Sequence, residues 1–239
     1  MIQIETQLSQ LRLNGMNHSW KAMQETRRHN ELSLQEGLEI LLQAEQQERE
    51  NRRFERLRKN ARFRYQASIA EIRYDASRGI DKGLITRLAT GEYLSQGASV
   101  LITGSTGCGK SFIASALGHQ ACAQGHKVAY FNTQKLLMKT KMSRAEGTIF
   151  KFFERISKTD LLILDDFGLT HLGQQQQLDL MEIIEDRHAK SSTIIASQLP
   201  VSSWFDVIGE ETIADAILDR LVHTSYRIEL TGESLRKKL

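Results

Sequence analysis

Eight consecutive residues have the types and spacing that phosphate binding needs. Residues 104–111 read Gly-Ser-Thr-Gly-Cys-Gly-Lys-Ser and fit the pattern G-x-x-x-x-G-K-[ST] in full. Glycines let the backbone curl so that successive N–H groups face a polyphosphate, while Lys110 supplies charge for the β and γ phosphates and Ser111 a hydroxyl for Mg²⁺. The pattern predicts binding of ATP or a similar nucleoside triphosphate. The predicted contacts are Gly104, Ser105, Thr106, Gly107, Cys108, Gly109, Lys110, Ser111 and Phe112.

Two carboxylates follow an apolar run about fifty residues later. Leu161–Leu164 has the composition of a buried strand, and Asp165 and Asp166 come directly after it. Ligands of parallel sheets bind at the carboxyl ends of the strands. We therefore expect Asp165 to hold Mg²⁺ through its water shell, as in a Walker B motif, and Asp166 to polarise the attacking water.

Polar residues end two further elements. Ser197 and Gln198 follow the apolar run Thr193–Ala196, so either could orient the hydrolytic water, or both could only cap the strand before Pro200. Arg220 follows Asp219 at the end of a helix predicted to open at Thr212. In most proteins such an arginine forms a surface ion pair. In an oligomeric ATPase it is a candidate finger that reaches the γ-phosphate of a neighbouring subunit.

From residue 99 onward, short apolar runs alternate with helical stretches, which predicts an α/β fold with a five-stranded parallel sheet between helices. The predicted strands are Val100–Thr103, Val128–Phe131, Leu161–Leu164, Thr193–Ala196 and Tyr226–Leu230. Residues 99–239 are therefore predicted to form the ATPase domain, and residues 67–98 a linker with a helix over Leu84–Leu94.

Residues 1–66 are predicted to form a small all-α domain that binds DNA or a partner. Helices are expected over Met1–Leu13 and from about Ser19 to His29, separated by Asn14-Gly15. A third, long helix opens at the capping box that Ser33 and Glu36 form.

The net charge of +3 is concentrated in this N-terminal region, which holds 12 Lys/Arg and 9 Asp/Glu. On the long helix, basic residues fall within an arc of roughly 80°, opposite an apolar seam. Because few acids compensate them, a face that binds DNA phosphates is favoured, although a solvated face remains an alternative. The candidate contacts are Arg52, Arg53, Arg56 and Lys59.

The rest of the composition limits the class of protein. No apolar run approaches the ~20 residues that span a bilayer, and no signal-peptide pattern opens the chain. The two cysteines, Cys108 and Cys122, are too few for a disulfide framework. We expect a cytoplasmic protein with no membrane partner.

Together these motifs resemble an AAA+ ATPase of the initiator and helicase-loader clade, and most closely the IstB-like helper ATPases that insertion sequences encode beside a DDE transposase. The resemblance covers nearly the whole chain. The phrases that carry it are LLILDDFG (161–168), SQLP (197–200), IADAILDRLVH (213–223) and RIELTGESLRK (227–237).

The resemblance implies an ASCE sheet, in which another strand separates the two Walker strands, and the absence of a separate C-terminal lid domain. By position, Gln198 resembles the first sensor, Arg220 the arginine finger and Arg236 the second sensor. Asp166 departs from the common Asp-Glu pair, which makes its role as a base less secure than the role of Asp165 at the metal.

The resemblance also implies partners: duplex DNA, a DDE transposase, and further copies of the chain in a ring or spiral. A second basic cluster lies in the region that faces the channel of such oligomers, beside a helix predicted to open at the capping box Ser143–Glu146. Its members are Lys135, Lys139, Lys141 and Arg144. They could track DNA phosphates or form a solvated surface, and we expect little reading of base sequence.

The alternative function is that of a DnaC-like loader of a replicative helicase. Such a loader would share the ATPase core and use its N-terminal region to bind a helicase. A small-molecule kinase is disfavoured, because no segment offers an acceptor site or an arginine-bearing lid. The discriminating observation is a tight complex with a replicative helicase combined with weak affinity for duplex DNA.

Overall fold

The computed structural model describes residues 2–235. The chain divides into two compact units, Met1–Arg56 and Leu57–Leu239. The boundaries of a DNA-binding domain, a linker and an ATPase domain stay predictions.

The first unit is helical, as predicted. It contains α1 (Ile2–Gln10), α2 (Asn14–Glu25), a 3₁₀ turn (Arg28–Asn30) and most of α3 (Leu34–Ala61). The capping box at the start of α3 is confirmed, because the Ser33 N–H donates to Glu36 at 2.8 Å and the Glu36 N–H donates to the Ser33 hydroxyl at 3.3 Å.

Helix α2 starts earlier than the predicted Ser19, because Glu45 on α3 satisfies its first N–H groups. Glu45 is buried and accepts hydrogen bonds from the N–H groups of Gly15 at 2.8 Å and Met16 at 3.3 Å. A carboxylate at a helix N-terminus also complements the helix dipole. A Cβ atom on Gly15 would lie 2.3 Å from the Ala44 carbonyl oxygen, so this glycine permits close packing and does not break the helix.

The second unit begins with short elements that lead into the sheet. After α3 come two 3₁₀ turns (Ile69–Glu71 and Ala76–Arg78), then α4 (Lys82–Ala89) and α5 (Glu92–Ser95). The single helix predicted over Leu84–Leu94 is therefore wrong. Gly91 has φ 84° and separates the two helices, a conformation that glycine adopts without strain.

A five-stranded parallel sheet with flanking helices forms the centre of this unit, which confirms the predicted fold class. The strands are β1 (Ser99–Gly104), β2 (Val128–Asn132), β3 (Leu161–Phe167), β4 (Ser192–Ser197) and β5 (Ser225–Leu230). Their order is β2-β3-β4-β1-β5, and every pair is parallel. Strand β4 therefore lies between the strand that precedes the glycine loop and the strand that carries Asp165.

The connecting helices cover the sheet. They are α6 (Lys110–Ala123), α7 (Thr133–Ala145), α8 (Ile149–Ser157), α9 (Gln174–Arg187), α10 (Trp204–Ile208) and α11 (Glu211–Val222). Strands β1, β3 and β4 are buried along nearly their whole length, as parallel strands covered on both faces must be.

Two predicted helix starts are wrong. Ser143 lies in the last turn of α7, which begins directly after β2 because the Asn132 side chain accepts from the Lys135 N–H at 3.3 Å. Helix α11 opens at Glu210, whose carboxylate accepts from the Ile213 N–H at 2.6 Å, and not at Thr212. Helix α8, the next after α7, follows Thr148, whose side chain makes no cap hydrogen bond, whereas Glu210 caps α11.

Within residues 2–235, the structure contains no helix with the length and apolar character required to cross a bilayer.

Candidate active site

The glycine loop between β1 and α6 has a backbone that only glycine adopts at three positions. Gly104, Gly107 and Gly109 have φ values of 143°, 83° and 104°. A Cβ atom would lie 2.3 Å from the Leu230 carbonyl oxygen at Gly104 and 2.0 Å from the Ser234 hydroxyl at Gly107. The glycines are thus required by conformation and by close approach.

Lys110 begins α6 and folds back over the loop. Its Nζ donates to the carbonyl oxygens of Gly104 at 2.7 Å and Ser105 at 2.8 Å, and the residue is buried. This arrangement holds the ammonium over the concave side of the loop, next to the N-terminus of α6. Both the charge and the helix dipole favour an anion at this point.

The serine after Lys110 meets the predicted Walker B carboxylate. The Ser111 hydroxyl donates to Asp165 Oδ1 at 2.9 Å. Ser111 lies in the first turn of α6, which follows β1, and Asp165 lies in β3, which β4 separates from β1. A hydroxyl and a carboxylate are hard oxygen donors of the kind that Mg²⁺ takes, with water and phosphate oxygens completing the shell. The described residues contain no cluster of three or more His, Cys, Asp or Glu side chains that could hold a metal alone.

Asp165 is held on every side. It is 1% exposed, accepts a short hydrogen bond from the Tyr130 hydroxyl at Oδ2, and accepts one from Thr133 Oγ1 at its carbonyl oxygen at 2.9 Å. Burial and the hydrogen bond to Asp165 raise the pKa of the Tyr130 phenol well above its usual range. Tyr130 therefore stays a neutral donor that fixes the carboxylate toward Ser111.

Asp166 sits in an unusual backbone conformation beside Asp165. Its φ is 57°, a left-handed value that few residues other than glycine and asparagine adopt, and the pairing of β3 with β4 shifts register between Leu164 and Phe167. Asn132 donates to Asp166 Oδ2 at 3.0 Å. The bulge turns two consecutive carboxylates toward the same edge of the sheet, where a regular strand would alternate them.

The two polar residues after β4 have different surroundings. Gln198 accepts a hydrogen bond from the Thr106 hydroxyl at 2.6 Å, which places it against the glycine loop. Ser197 is buried, donates to the Phe167 carbonyl at 2.8 Å and accepts from the Leu199 N–H at 3.1 Å. Gln198 therefore lies against the glycine loop and Ser197 caps the strand, while the role of Gln198 as a sensor stays a prediction.

A partly apolar pocket of about 340 Å³ adjoins the other end of the loop. Its lining includes Ile72, Ile80, Phe112 and Leu235. Beside it Arg78 donates to the Cys108 carbonyl at 3.0 Å. A flat heterocycle fits such a pocket next to a phosphate loop. Of its lining, the motif predicts Cys108, Gly109 and Phe112, but not the residues that come from outside the loop and α6.

Arg64 contacts both aspartates, and the sequence motifs do not predict this contact. Its Nη1 lies 3.0 Å from Asp166 Oδ2 and 3.3 Å from Asp165 Oδ2. The run of basic residues that ends at Arg64 was the available signal, but a contact across 101 positions of sequence cannot be found from spacing.

Arg220 lies away from this site. Its guanidinium pairs closely with Glu185 on α9, and its Nη1 donates to the Ala216 carbonyl at 2.8 Å. Helix α11 leads into the start of β5, which pairs with the start of β1. Arg220 is therefore at the amino ends of the strands, opposite the glycine loop. Arg236 lies outside the described residues.

The basic residues predicted to bind DNA differ in their ion pairs. On α3, Arg52 lies 3.6 Å from Glu45 and 3.5 Å from Glu48, so acids do compensate part of this face. Arg56 and Lys59 are exposed and form no ion pair among the residues that the structure describes. Arg53 is exposed as well.

On α7 the second basic cluster is divided in the same way. Arg144 is held by the buried carboxylate of Asp179, with Nε at 3.0 Å. Lys135 and Lys141 are exposed, and Lys139 is half-buried with its Nζ 5.2 Å from the centre of the Phe131 ring.

A parallel sheet with a strand between the two Walker strands, a glycine loop and a Ser–Asp pair at its edge define a P-loop NTPase of the AAA+ type. Comparison with known proteins narrows this class. Residues 6–239 match the family of IstB-like ATP binding proteins. The chain belongs to this family.

One relative and two solved structures illustrate the similarity. A protein of Sinorhizobium fredii named as an insertion sequence ATP-binding protein, y4pL, is 40% identical over 230 residues, covering 96% of this chain and 94% of its own. The DnaC helicase loader structure is 21% identical with a TM-score of 0.58, covering 69% of this chain and 97% of its own. AMPPCP-bound DnaA from Aquifex aeolicus is 19% identical with a TM-score of 0.60, covering 74% and 54%. These two likenesses show the fold alone.

Proposed function

We propose that this protein is an ATP-dependent regulator of transposition that assembles on duplex DNA. In this proposal it forms a ring or spiral and recruits or activates a DDE transposase, and ATP hydrolysis controls its disassembly. The contact between Ser111 and Asp165 carries the nucleotide part of the proposal, because it joins two motifs 54 positions apart at one metal-binding edge. Membership of the IstB-like family and the insertion-sequence relatives support the transposition part.

The loop residues would bind the nucleotide as follows. Backbone N–H groups of residues 105–110 surround the phosphates, and the Lys110 ammonium exchanges its two loop carbonyls for phosphate oxygens. Ser111 and Asp165 would hold Mg²⁺, which supplies charge neutralisation for the β and γ phosphates. The pocket beside Arg78 would take the base.

Hydrolysis would depend on residues at the carboxyl edge of the sheet and on a neighbour. Asp166 accepts a proton from the attacking water, and Gln198 orients that water. Arg220 acts in trans, since it lies at the opposite edge from its own loop, and Arg236 is the second sensor. Asn132 and Arg64 both donate to Asp166 Oδ2, so Oδ1 is the oxygen that would accept the proton.

Duplex DNA would be held through its phosphates, with little reading of sequence. An exposed cation without an ion pair can bind a phosphate directly and release a counterion from the DNA. Arg52 and Arg144 must first leave the carboxylates that hold them. Arg56 and Lys59 on α3 and Lys135 and Lys141 on α7 therefore contribute more than their paired neighbours.

ATP-dependent binding to a labelled duplex, followed by fluorescence anisotropy, tests this proposal. Wild-type protein should bind several unrelated duplexes with similar affinity and only with ATP. Lys110→Ala should lose nucleotide affinity by roughly 100-fold, since it removes a charged hydrogen-bond donor, and should lose DNA binding with it. Normal nucleotide affinity in this variant would remove the basis of the proposal.

The salt dependence of the same signal tests the basic residues. Replacing Arg56 and Lys59 with Ala should lower the slope of log K against log salt by about 2, since each phosphate contact contributes roughly 0.9. Arg49→Ala is the matched control, because Arg49 on the same helix is held by Glu45 at 2.7 Å and should change the slope little. If the Arg56 and Lys59 variant has the same slope as Arg49→Ala and wild type, this face is solvated and does not contact DNA.

A further inference from the structure

A cavity of about 540 Å³ lies beside the Walker B carboxylates, on the side away from the glycine loop. It is bounded by the ends of β2 and β3 and by the start of α7. Its charged lining consists of four cations and two acids: Arg62, Arg64, Lys135, Lys139, Asp165 and Asp166. We call it the basic cavity.

The cations of the basic cavity outnumber its acids and repel one another. Burial, followed by the positive charges of Arg62 and Arg155, lowers the pKa of Lys139. Arg64 contacts both aspartates, whereas Arg62, Lys135 and Lys139 form no ion pair with a carboxylate of the lining, whose four cations and two acids leave a formal charge of +2. Such an excess of positive charge is relieved by an anion.

Arg64 stands at the boundary between the basic cavity and the metal site. Its guanidinium touches both Asp165 and Asp166, while Asp165 Oδ1 on the other side accepts from Ser111. The Arg64 side chain is 42% exposed, whereas that of Asp165 is 1% exposed. The arginine can therefore swing away, while the carboxylate cannot move and would be left with a buried, uncompensated charge.

A divalent cation at Ser111 and Asp165 and the Arg64 guanidinium compensate the same carboxylate. With both in place, two cationic groups lie on opposite sides of one side chain and repel each other. Arg64 thus weakens metal binding while it is in contact, and metal binding favours its release. The released guanidinium enters a cavity that already has excess positive charge, and only an anion there makes this position favourable.

We propose that Arg64 is a latch shared by the metal site and the basic cavity. Phosphates of duplex DNA that enter the cavity draw Arg64 away from Asp165 and Asp166. The departure of Arg64 raises the affinity of the metal site for a divalent cation. The inference rests on the proposed function for the identity of the anion. Exposed Lys135 and Lys141 continue the positive charge along α7, which suits a chain of phosphates better than a single small ion. Coupling of this kind is reciprocal, so the metal-bound nucleotide complex also binds DNA more tightly.

The test is Mn²⁺ affinity, measured from the free-Mn²⁺ electron paramagnetic resonance signal of the nucleotide-bound protein, with and without a short mixed-sequence duplex. A DNA-only blank corrects for Mn²⁺ on phosphates. In wild type, DNA should tighten Mn²⁺ binding about 10-fold, within the usual range of coupling between sites. Arg64→Ala should bind Mn²⁺ about 10-fold more tightly without DNA, and DNA should add nothing.

Arg64→Gln keeps a polar side chain with a hydrogen-bond donor but removes the charge, and it replaces Arg64→Ala in this test if that variant folds poorly. It should also bind Mn²⁺ more tightly than wild type without DNA. Arg28→Ala, an exposed arginine on the first unit, is the control and should match wild type. A purely structural role predicts the opposite sign, with weaker Mn²⁺ binding in the Arg64 variants.

Two results overturn the latch: Mn²⁺ binding in Arg64→Ala and Arg64→Gln that is no tighter than in wild type, or wild-type Mn²⁺ affinity that bound DNA does not change. Absence of any DNA binding would instead count against the proposed function, and the comparison of the Arg64 variants without DNA would still decide whether Arg64 opposes the metal.

Discussion

Asp165 and Asp166 are adjacent in sequence but have different surroundings. Asp165 is buried and fixed by Tyr130 and Ser111, as a metal ligand requires. The Asp166 side chain is 21% exposed and accepts hydrogen bonds from Asn132 and Arg64. A carboxylate with access to water suits proton acceptance better than one enclosed by donors.

Replacement of Asp166 by Asn tests this division. Asn tolerates the left-handed backbone that Asp166 adopts, so the fold should be kept. Nucleotide affinity should change less than about threefold while turnover falls by roughly 10²–10⁴-fold, the usual contribution of a general base. Steady-state phosphate release and binding of a fluorescent ATP analogue measure the two quantities.

Asp165→Asn is the matched control and should lose metal-dependent nucleotide binding itself, because it removes a charge from the Ser111–Asp165 pair. An Asp166→Asn protein that hydrolyses ATP at the wild-type rate would show that the base is another residue.

At the residue scale, the motifs identified the loop and both aspartates because their spacing is local. The motifs do not predict Tyr130, Arg78 and Arg64, since each makes contacts that only the tertiary fold creates. Tyr130, for example, meets Asp165 because β2 and β3 are neighbours. Arg52 and Arg144 are predicted to bind DNA from their place in basic clusters, and the sequence does not reveal that Glu45 and Asp179 hold them.

At the scale of elements, the segment after α3 is anchored on α6 next to the active site. The Phe63 ring lies 4.2 Å from the His119 ring between centroids, and the Tyr65 carbonyl is 3.1 Å from His119 Nε2. Gly118 makes room for Phe63. A Cβ atom there would lie 2.4 Å from Phe63 Cε1 and 2.8 Å from Ile163 Cδ1. The anchor positions Arg62 and Arg64 on either side of Phe63.

Gly118→Ala should therefore destabilise the protein by about 1–3 kcal/mol, because an extra methyl group overpacks this contact. Gly37→Ala is the matched control: nothing lies within 4 Å of the added atom and the position is helical, so the free energy of unfolding should rise by about 0.5–1 kcal/mol. Urea unfolding followed by circular dichroism measures both. A Gly118→Ala protein as stable as wild type would show that Phe63 is free to shift and make room for the methyl group.

The strands were predicted within about two residues, apart from β3, because short apolar runs between helices are a strong pattern. Strand β3 extends through Asp165 and Asp166 to Phe167, since a bulge keeps the two carboxylates inside the strand. Helix starts were less predictable. Glu45 satisfies the first N–H groups of α2, and Glu210 caps α11. Glu45 lies 30 residues from Gly15 in sequence, so only the tertiary fold brings it to the start of α2.

At the scale of the whole molecule, the proposed function requires that Arg220 complete the active site of a neighbouring subunit. It lies at the amino edge of the sheet, while the glycine loop is at the carboxyl edge. Arg220→Ala should bind ATP normally and hydrolyse it ~10³-fold more slowly, as loss of an arginine finger does. Mixing it with Lys110→Ala should restore part of the activity, because mixed interfaces pair an intact loop with an intact arginine.

Glu185→Gln separates this role from a plain ion pair. It removes the partner of Arg220 but keeps the arginine, so activity should remain near wild type. If the two variants lose activity equally, or if the mixture stays as inactive as its parts, Arg220 only stabilises the contact between α11 and α9.

The most direct test of the account is electron microscopy of the protein with ATP and duplex DNA. The account predicts a ring or spiral of defined subunit number around the duplex, with Arg220 of one subunit facing the glycine loop of the next. It also predicts that the assembly is absent without nucleotide and in Lys110→Ala. Monomers on DNA, or particles that form equally without ATP, would contradict the central claim.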